Sequence, residues 1–412
     1  MRTAAELGPA IPLMAKLTHG HQVFELGNSG LGRRGALCRA AFAPFLAVCT
    51  LGALALGCRR PPPPRPYVAF VVNNQSATLA AVNLADFRVM ASLPVAPQPV
   101  RVLARPGSRQ LYVVSGAGKI NVVTYPQPRI IATFNVGRSA KDLAFSPDGR
   151  TAYVLNPAER ELVFLDCESG RETQHLRFAS AISDLALAPD GKTLVVASPS
   201  SNRLTFIGAE ARQPLGAVEV GQAPGPMVIL PDSSRVFVAN TGEEKISAAD
   251  VTTQNLLSHI EIGTRPTALL MKPDGGEILV LNAQASSLVI VDAFHANVEQ
   301  TFPTGRNPVA GVFRQDSSVL YIANAGDGSV TALDLQNRVV LASTHVGTEP
   351  RALALTPDER FLVVADSATS SLAILQADPK SLTSDRSLLI TTVAVGTKPV
   401  DVIVPDWLGK VF

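Results

Sequence analysis

Glycines preceded by Val, Ile or Thr stand at 221, 263, 305 and 347, each 42 residues after the last, and this period constrains the chain more than any other feature. A stretch that recurs at such a spacing is one supersecondary unit stacked on copies of itself. Gly137 lies 84 residues, two periods, before Gly221, and the midpoint, Ala179, falls in RFASAISDLALAPDG, where the pattern continues without the glycine. A period of 41 upstream of Gly137 lands on Ala96 in LPVAPQPVRVLARPG, and Gly396 follows Gly347 by 49. The surplus residues sit in QADPKSLTSDRSLLI, which reads as an enlarged loop.

Inside the unit, turn chemistry marks the strands. Counted from each anchor, the third residue is Pro99, Pro224, Pro266, Pro308, Pro350 or Pro399, and the tenth is Pro106, Pro147, Pro189, Pro231, Pro273 or Pro357. These prolines bracket one short apolar strand. Turns such as SPDGR, APDGK, KPDGG and LPDSS follow, in which proline presets φ and Asp or Gly favours the reversal, so a hairpin is expected. Its second strand, as in TAYVLN, RVFVAN, VLYIAN or FLVVAD, is β-branched and aromatic. It ends in a row of short polar residues, Ser115, Asn156, Ser198, Asn240, Asn282, Asn324 and Asp366, expected to hydrogen-bond their own turn backbone. A third strand stops at Asp166, Asp250, Asp292 and Asp334, and a fourth returns to the next anchor. Four short antiparallel strands per unit, without helical periodicity, are the pattern of propeller blades.

AYVLN, VFVAN and LYIAN, together with VG-x-x-P and SPDG, resemble the YVTN-repeat β-propeller family from Tyr67 to about Asp406. The resemblance implies a prokaryotic surface or periplasmic protein. It implies little about activity, because propellers host many chemistries. Seven full units run from Ala96 to Gly396, leaving three strands before them (YVAFVVNN, TLAAVNL, VMASLPV) and one after (KPVDVIVPD). Pairing the last strand with the first three removes two sheet edges and makes an all-β, eight-bladed propeller. The alternative is seven blades, with the N-terminal strands packed irregularly.

The segment before the repeats reads as an address. Arg33, Arg34 and Arg39 precede an apolar run, Ala40 to Leu56, the layout of an export signal. It ends in Ala55-Leu56-Gly57-Cys58, which resembles a bacterial lipobox, although the usual Leu is at Leu54, one position too far from Cys58. Residues 33–58 are therefore read as a lipoprotein-type signal with Cys58 as the lipidated residue, 59–66 (RRPPPPRP) as an extended Pro-rich spacer, and 67–412 as the propeller. Residues 1–32 carry neither an apolar run nor periodicity and stay unassigned, as a start codon placed too early would leave them. The expected location is the bacterial cell envelope, lipid-anchored and facing the periplasm or the exterior.

Composition narrows the function classes. Hydrophobic residues at 46% against 17% charged exclude disorder, and a net charge of +2 without basic runs interleaved with aromatics gives nucleic acid no footprint. Beyond the signal only Cys58 and Cys167 remain, so no disulfide framework is available, and Cys167 reads as a small buried hydrophobe. His175 and His259 each fall four residues before an anchor, on outermost strands two blades apart, where they cannot converge on a metal; His295 and His345 complete the set. No C-x-x-C-H, G-x-S-x-G or H-E-x-x-H occurs, so no cofactor and no metal site is expected.

The fifth residue after each anchor is less uniform. Around the ring it reads Arg101, Asp142, Asp184, Pro226, Ala268, Ala310, Ala352 and Asp401, so charge occupies one arc of four successive blades. If these side chains face the channel, three carboxylates around one arginine form the candidate binding site; a solvated salt bridge from Arg101 to Asp142 or Asp401 is the plainer expectation. Lys141, Arg306 and Lys398 on the same rim would favour anions instead. The reading that follows is a membrane-tethered, non-enzymatic binding or scaffold propeller for a protein, glycan or small-molecule ligand. The alternatives are a lactonase- or gluconolactonase-like hydrolase, which would need the arc to hold a metal, and a cofactor-binding redox subunit.

Overall fold

The computed structural model describes residues 67–377 and 388–406. The signal and spacer at 33–66, the surplus loop at 378–387 and the last six residues lie outside the described residues. Among the described residues thirty-two strands form eight four-stranded antiparallel sheets, and the one helical element is a 3-10 turn at Pro199–Ser201. Among the described residues no helix is long and apolar enough to cross a membrane.

Each blade runs outward from an innermost strand. In blade 1 the strands are Pro99–Ala104, Gln110–Ser115, Lys119–Thr124 and Arg129–Asn135. Blades 2 to 7 repeat this order with innermost strands beginning at Asp142, Asp184, Pro224, Ala268, Pro308 and Pro350. Blade 8 is closed by two chain ends: Pro399–Ile403 pairs antiparallel with Val68–Asn73, which carries Thr78–Asn83 and Arg88–Pro94 outside it. Eight blades with three-plus-one closure are present, and the seven-bladed alternative is set aside.

The second and third strands are buried over most of their length, and their two faces pack against the blades on either side. Between blades 1 and 2, Tyr112, Val114, Ile120 and Val122 meet Leu143, Ala152 and Val154. The Tyr112 hydroxyl donates to the Cys167 carbonyl across that seam at 3.1 Å, and Tyr321 does the same to Ala377 between blades 6 and 7 at 3.0 Å. Cys167 is buried, and desolvation pushes its thiol up to about 11. The outermost strand of every blade shifts register against the third at one place, for example between Phe206 and Ile207, Ala248 and Ala249, and Ile290 and Val291. Such bulges twist an edge strand away from further pairing.

Packing explains the anchor glycines. The row that ends the second strands is buried, with Asn156, Asn240, Asn282 and Asn324 fully enclosed, and under five of the glycine anchors a side chain of this row fills the space a Cβ would need. A Cβ added to Gly221 would meet Asn240 Cγ at 2.5 Å, and one added to Gly305 would meet Asn324 Cγ at 2.6 Å. Gly137, Gly347 and Gly396 face Asn156, Asp366 and Asn73 in the same way. Where the anchor is alanine, at Ala96 and Ala179, the partner is Ser115 or Ser198. Gly263 is the exception: nothing crowds its Cβ position, and its φ of +72° is what calls for glycine.

The row does only part of what was expected of it. Ser115 and Asp366 bind their own turns, accepting the N–H of Ala117 at 3.1 Å and of Thr369 at 2.9 Å. Three of the asparagines instead reach the third strand, Asn240 donating to Ser247 Oγ and Asn324 to Thr331 Oγ1, both at 2.9 Å, and Asn282 to Ser287 Oγ, while Asn156 donates to the Val136 carbonyl beside its anchor. An amide under a close-packed anchor points sideways to the nearest hydroxyl because its own turn is already closed by backbone bonds such as Glu243 N–H to the Asn240 carbonyl.

Candidate functional site

The innermost strands line a central channel with two mouths. One, the anchor mouth, carries the anchors and the buried Asn row; the other, the turn mouth, carries the PDG-type turns. At the anchor mouth three of the four charged residues at the fifth place after an anchor reach toward the next blade, and Asp142 meets the one before it. Asp401 Oδ2 accepts the Val102 N–H from blade 1 at 2.9 Å, Arg101 pairs with Asp142 of blade 2, and Asp184 Oδ2 accepts the Met227 N–H from blade 4 at 3.0 Å. The four predicted residues therefore sit on one side of the channel, and each is tied to a neighbour. In the remaining four blades Pro226, Ala268, Ala310 and Ala352 fill the position, and Ala268 and Ala352 join apolar seams to the following blade.

This arc is electrostatically uneven. Asp184 is pushed up to about 6 by burial first and by the negative charge of Asp142 second. Asp401 also rises to about 6, because burial outweighs the nearby Arg101 guanidinium and the N–H groups of Val102 and Val402. Burial likewise holds Asp142 above the usual carboxylate range against the pull of Arg101. The side chain of Arg101 is 49% exposed and that of Asp142 14%, so the pair stands at the boundary between wall and water. The half-exposed guanidinium has N–H donors beyond the one that pairs with Asp142, a group suited to an acceptor oxygen on a ligand. A carboxyl group that titrates near 6 is present in both forms around neutral pH and can take or give a proton.

These raised values have a thermodynamic sign. Between 3.8 and about 6 the folded chain binds more protons at Asp184 and Asp401 than the unfolded chain does, so stability falls as pH rises through that window. The effect is of order 2 kcal/mol for each group once channel water is allowed for. The double variant Asp184→Asn/Asp401→Asn is expected to flatten the decline in denaturant-unfolding stability between pH 4.5 and pH 7. A decline as steep as that of the wild type would show that these groups do not carry it.

The rim cations do not converge. Lys141 Nζ donates to the Ser183 carbonyl at 2.6 Å, bridging blades 2 and 3. Lys398, three residues before Asp401, lines a hollow of about 550 Å³ with Glu349, Arg351 and Ser367 of blade 7, where Arg351 pairs with Glu349. Arg306 stands in the loop entering blade 6, its N–H held by Asp327 at 2.9 Å. Arg351 was missed in the sequence because it lies one residue before the ring position, beside an alanine.

The turn mouth holds a cavity of about 480 Å³, lined by Val312, Phe313, Leu355, Ile403 and Pro405 among others, with the Arg314–Glu359 ion pair at its wall. Nothing in the sequence marked it, since its lining is the ordinary apolar end of the innermost strands.

The donor set does not fit a metal or haem held by imidazoles. His175, His259 and His345 lie on outermost strands and His295 in the turn before one, away from the channel. His175 lies beside Glu161 and Glu172, His259 beside Ser247 and His295 beside Asp292. Among the described residues no three His, Cys, Asp or Glu side chains are grouped to hold a metal ion. The three carboxylates of the arc are spread along successive blades and spend oxygens on backbone N–H groups, so the metal-dependent version of the hydrolase reading lacks its ligands.

Comparison with known proteins gives the following. Residues 277–400 match the family described as lactonase, 7-bladed beta-propeller, a stretch that lies in blades 5 to 7 and the start of the closing strand. No curated protein matches the chain. The structure of a dihydro-heme d1 dehydrogenase, NirN, in complex with DHE is similar with a TM-score of 0.71 and 15% identity, over 83% of this chain and 75% of that one. Hydrazine synthase of Kuenenia stuttgartiensis is similar with a TM-score of 0.52 and 20% identity, over 63% and 87%. A protein of unknown function from Desulfotomaculum acetoxidans DSM 771 is similar with a TM-score of 0.54 and 11% identity, over 82% and 98%. At such identities the likeness is one of fold.

Proposed function

We propose that the arc of Arg101, Asp142, Asp184 and Asp401 is a small-molecule site at which a cyclic ester is hydrolysed. The observation that carries this reading is Asp184, a carboxyl group raised to about 6 on the channel side that also holds the half-exposed Arg101 guanidinium. Asp184 is taken as the base because its raised value comes from burial and the neighbouring Asp142, whereas Asp142 is paired with Arg101 and Asp401 lies under the pull of the same guanidinium. In the forward step Asp184 takes a proton from water as the water oxygen bonds to the ester carbon. The negative charge on the carbonyl oxygen is met by Arg101. The ring C–O bond then breaks and the proton passes from Asp184 to the departing alkoxide, leaving a hydroxy acid. The partial match to the lactonase family, though it lies in the opposite half of the ring, points the same way.

A panel of five- and six-membered sugar lactones, followed by pH-stat, tests this. Asp184→Asn is expected to lower kcat by roughly 100-fold or more and to abolish the acid limb near pH 6, while Arg101→Met acts mainly on KM. Hydrolysis no faster than in buffer would sink the reading.

A second reading, a non-enzymatic binding or scaffold module, is favoured by the same Asp-to-N–H bonds, which make the arc a set of latches between blades. Calorimetric binding of the corresponding hydroxy acids without any turnover would favour it. Under either reading we place the protein among YVTN-type propellers of the bacterial envelope, lipidated at Cys58 and facing the periplasm or the exterior. The apolar run ending in Gly57-Cys58, the Pro-rich spacer and the blade register support that placement.

A further inference from the structure

The exposed large apolar side chains are not scattered. Met90, Ile131, Leu215, Leu257, Val340 and Ile390 each stand in the first three residues of an outermost strand, one in each of six blades, and are between 43% and 53% exposed where solvent is concerned, Val340 at 47%. Blade 5 contributes Val298 at the same place and Phe294 in the turn before it, the most exposed of all at 59%. Only blade 2 departs, with Glu172 and Thr173. Scattered surface hydrophobes need no explanation, but a position repeated in seven of eight blades does.

Strand register places this rim at one end of the ring. Val89, next to Met90, pairs with Val82, and the adjacent Asn83 pairs with Val68, beside Tyr67 where the described chain enters. Ile403, Val404 and Pro405 line the cavity of the turn mouth, so the described chain also leaves at that end. The apolar rim, the apolar cavity and both described ends of the chain thus share the turn mouth, and the charged arc lies at the other.

We propose that the turn mouth is seated on the lipid bilayer, leaving the anchor mouth and its arc toward water. This rests on lipidation of Cys58. Eight residues separate Cys58 from Tyr67, and even fully extended they reach only about 30 Å. A tether that short keeps the rim at high local concentration over the surface, so shallow insertion of a few apolar side chains is populated without strong affinity of its own. Arg59, Arg60 and Arg65 in the spacer add attraction to anionic headgroups. The gap in the rim at blade 2 allows a tilt toward blades 4 to 6, where Leu257, Phe294 and Val340 follow one another.

The test uses the full chain, purified with its lipid and reconstituted into vesicles of phosphatidylethanolamine and phosphatidylglycerol with and without doxyl-labelled lipid. Environment-sensitive dyes are attached at Leu257→Cys, at Phe294→Cys and, on the anchor mouth, at Arg138→Cys; Cys167 is buried and does not compete. Doxyl lipid is expected to quench the first two at least about twofold and the third hardly at all, as for side chains that enter the headgroup and acyl boundary. Co-flotation with equal quenching at all three sites overturns the orientation and leaves the anchor standing. Loss of flotation in wild type, as in Cys58→Ser, removes the anchor and the orientation with it.

Discussion

A chain ending after Thr397 is expected to lose its cooperative unfolding transition and to collect in the insoluble fraction, whereas one ending after Asp406 keeps the wild-type Tm. The difference is the strand Pro399–Ile403, the only element through which the two ends of the described chain close the ring. Without it Val68–Asn73, buried along its whole length, becomes an open sheet edge, and the opposing faces of blades 7 and 1 lose their partner. Val402 and Val404 leave the seam with blade 7, and Asp401 no longer ties blade 8 to Val102 of blade 1. Marginal stability means that losses of this kind approach the whole free energy of folding, of order 5 to 15 kcal/mol. A soluble monomer with Tm within about 5 °C of wild type would show that the ring does not depend on this closure.

Gly221→Ala is expected to cost about 3 kcal/mol, and Asn240→Ser, added to it, to recover most of the loss. The added methyl would have to share space with the fully buried Asn240, which cannot turn away because the Ala239 and Asn240 backbone is locked into the second strand. The other close neighbour, Glu243, sits on a flexible arm and yields. Serine at 240 recreates the pair present as Ala96 with Ser115 and Ala179 with Ser198, and Asn240 gives up only its bond to Ser247. Chemical denaturation of the four proteins of the cycle measures the coupling. Additive losses would mean that the matched pairs do not reflect contact.

This pairing of anchor with row was present in the sequence as two separate regularities, the glycine series and the run of Asn, Ser and Asp. Their dependence on one another became visible only when the two were seen stacked, because nineteen residues of sequence separate groups that share one pocket. The same holds for the arc. Its four members were readable as a ring position, yet what they do was not: Asp401 and Asp184 serve as acceptors for backbone N–H groups on the next blade, and Lys141 is spent on a carbonyl. The cavity at the turn mouth and the apolar rim had no separate signal, since Phe313, Ile403 or Met90 look like any other strand residue until the blades are assembled.

The sequence by itself determined the number of blades, the strand order within each and the way the ring closes. All three are encoded locally: alternating apolar residues choose strands, Pro-Asp-Gly turns place the hairpins, and a 42-residue period counts the copies. Tertiary structure alone decided where charge and water meet. Asp401 and Val102 are 299 residues apart and touch only because the ring is closed. The raised carboxyls at Asp184 and Asp401 come from desolvation by neighbouring blades, a quantity that belongs to the assembled channel and not to any stretch of chain.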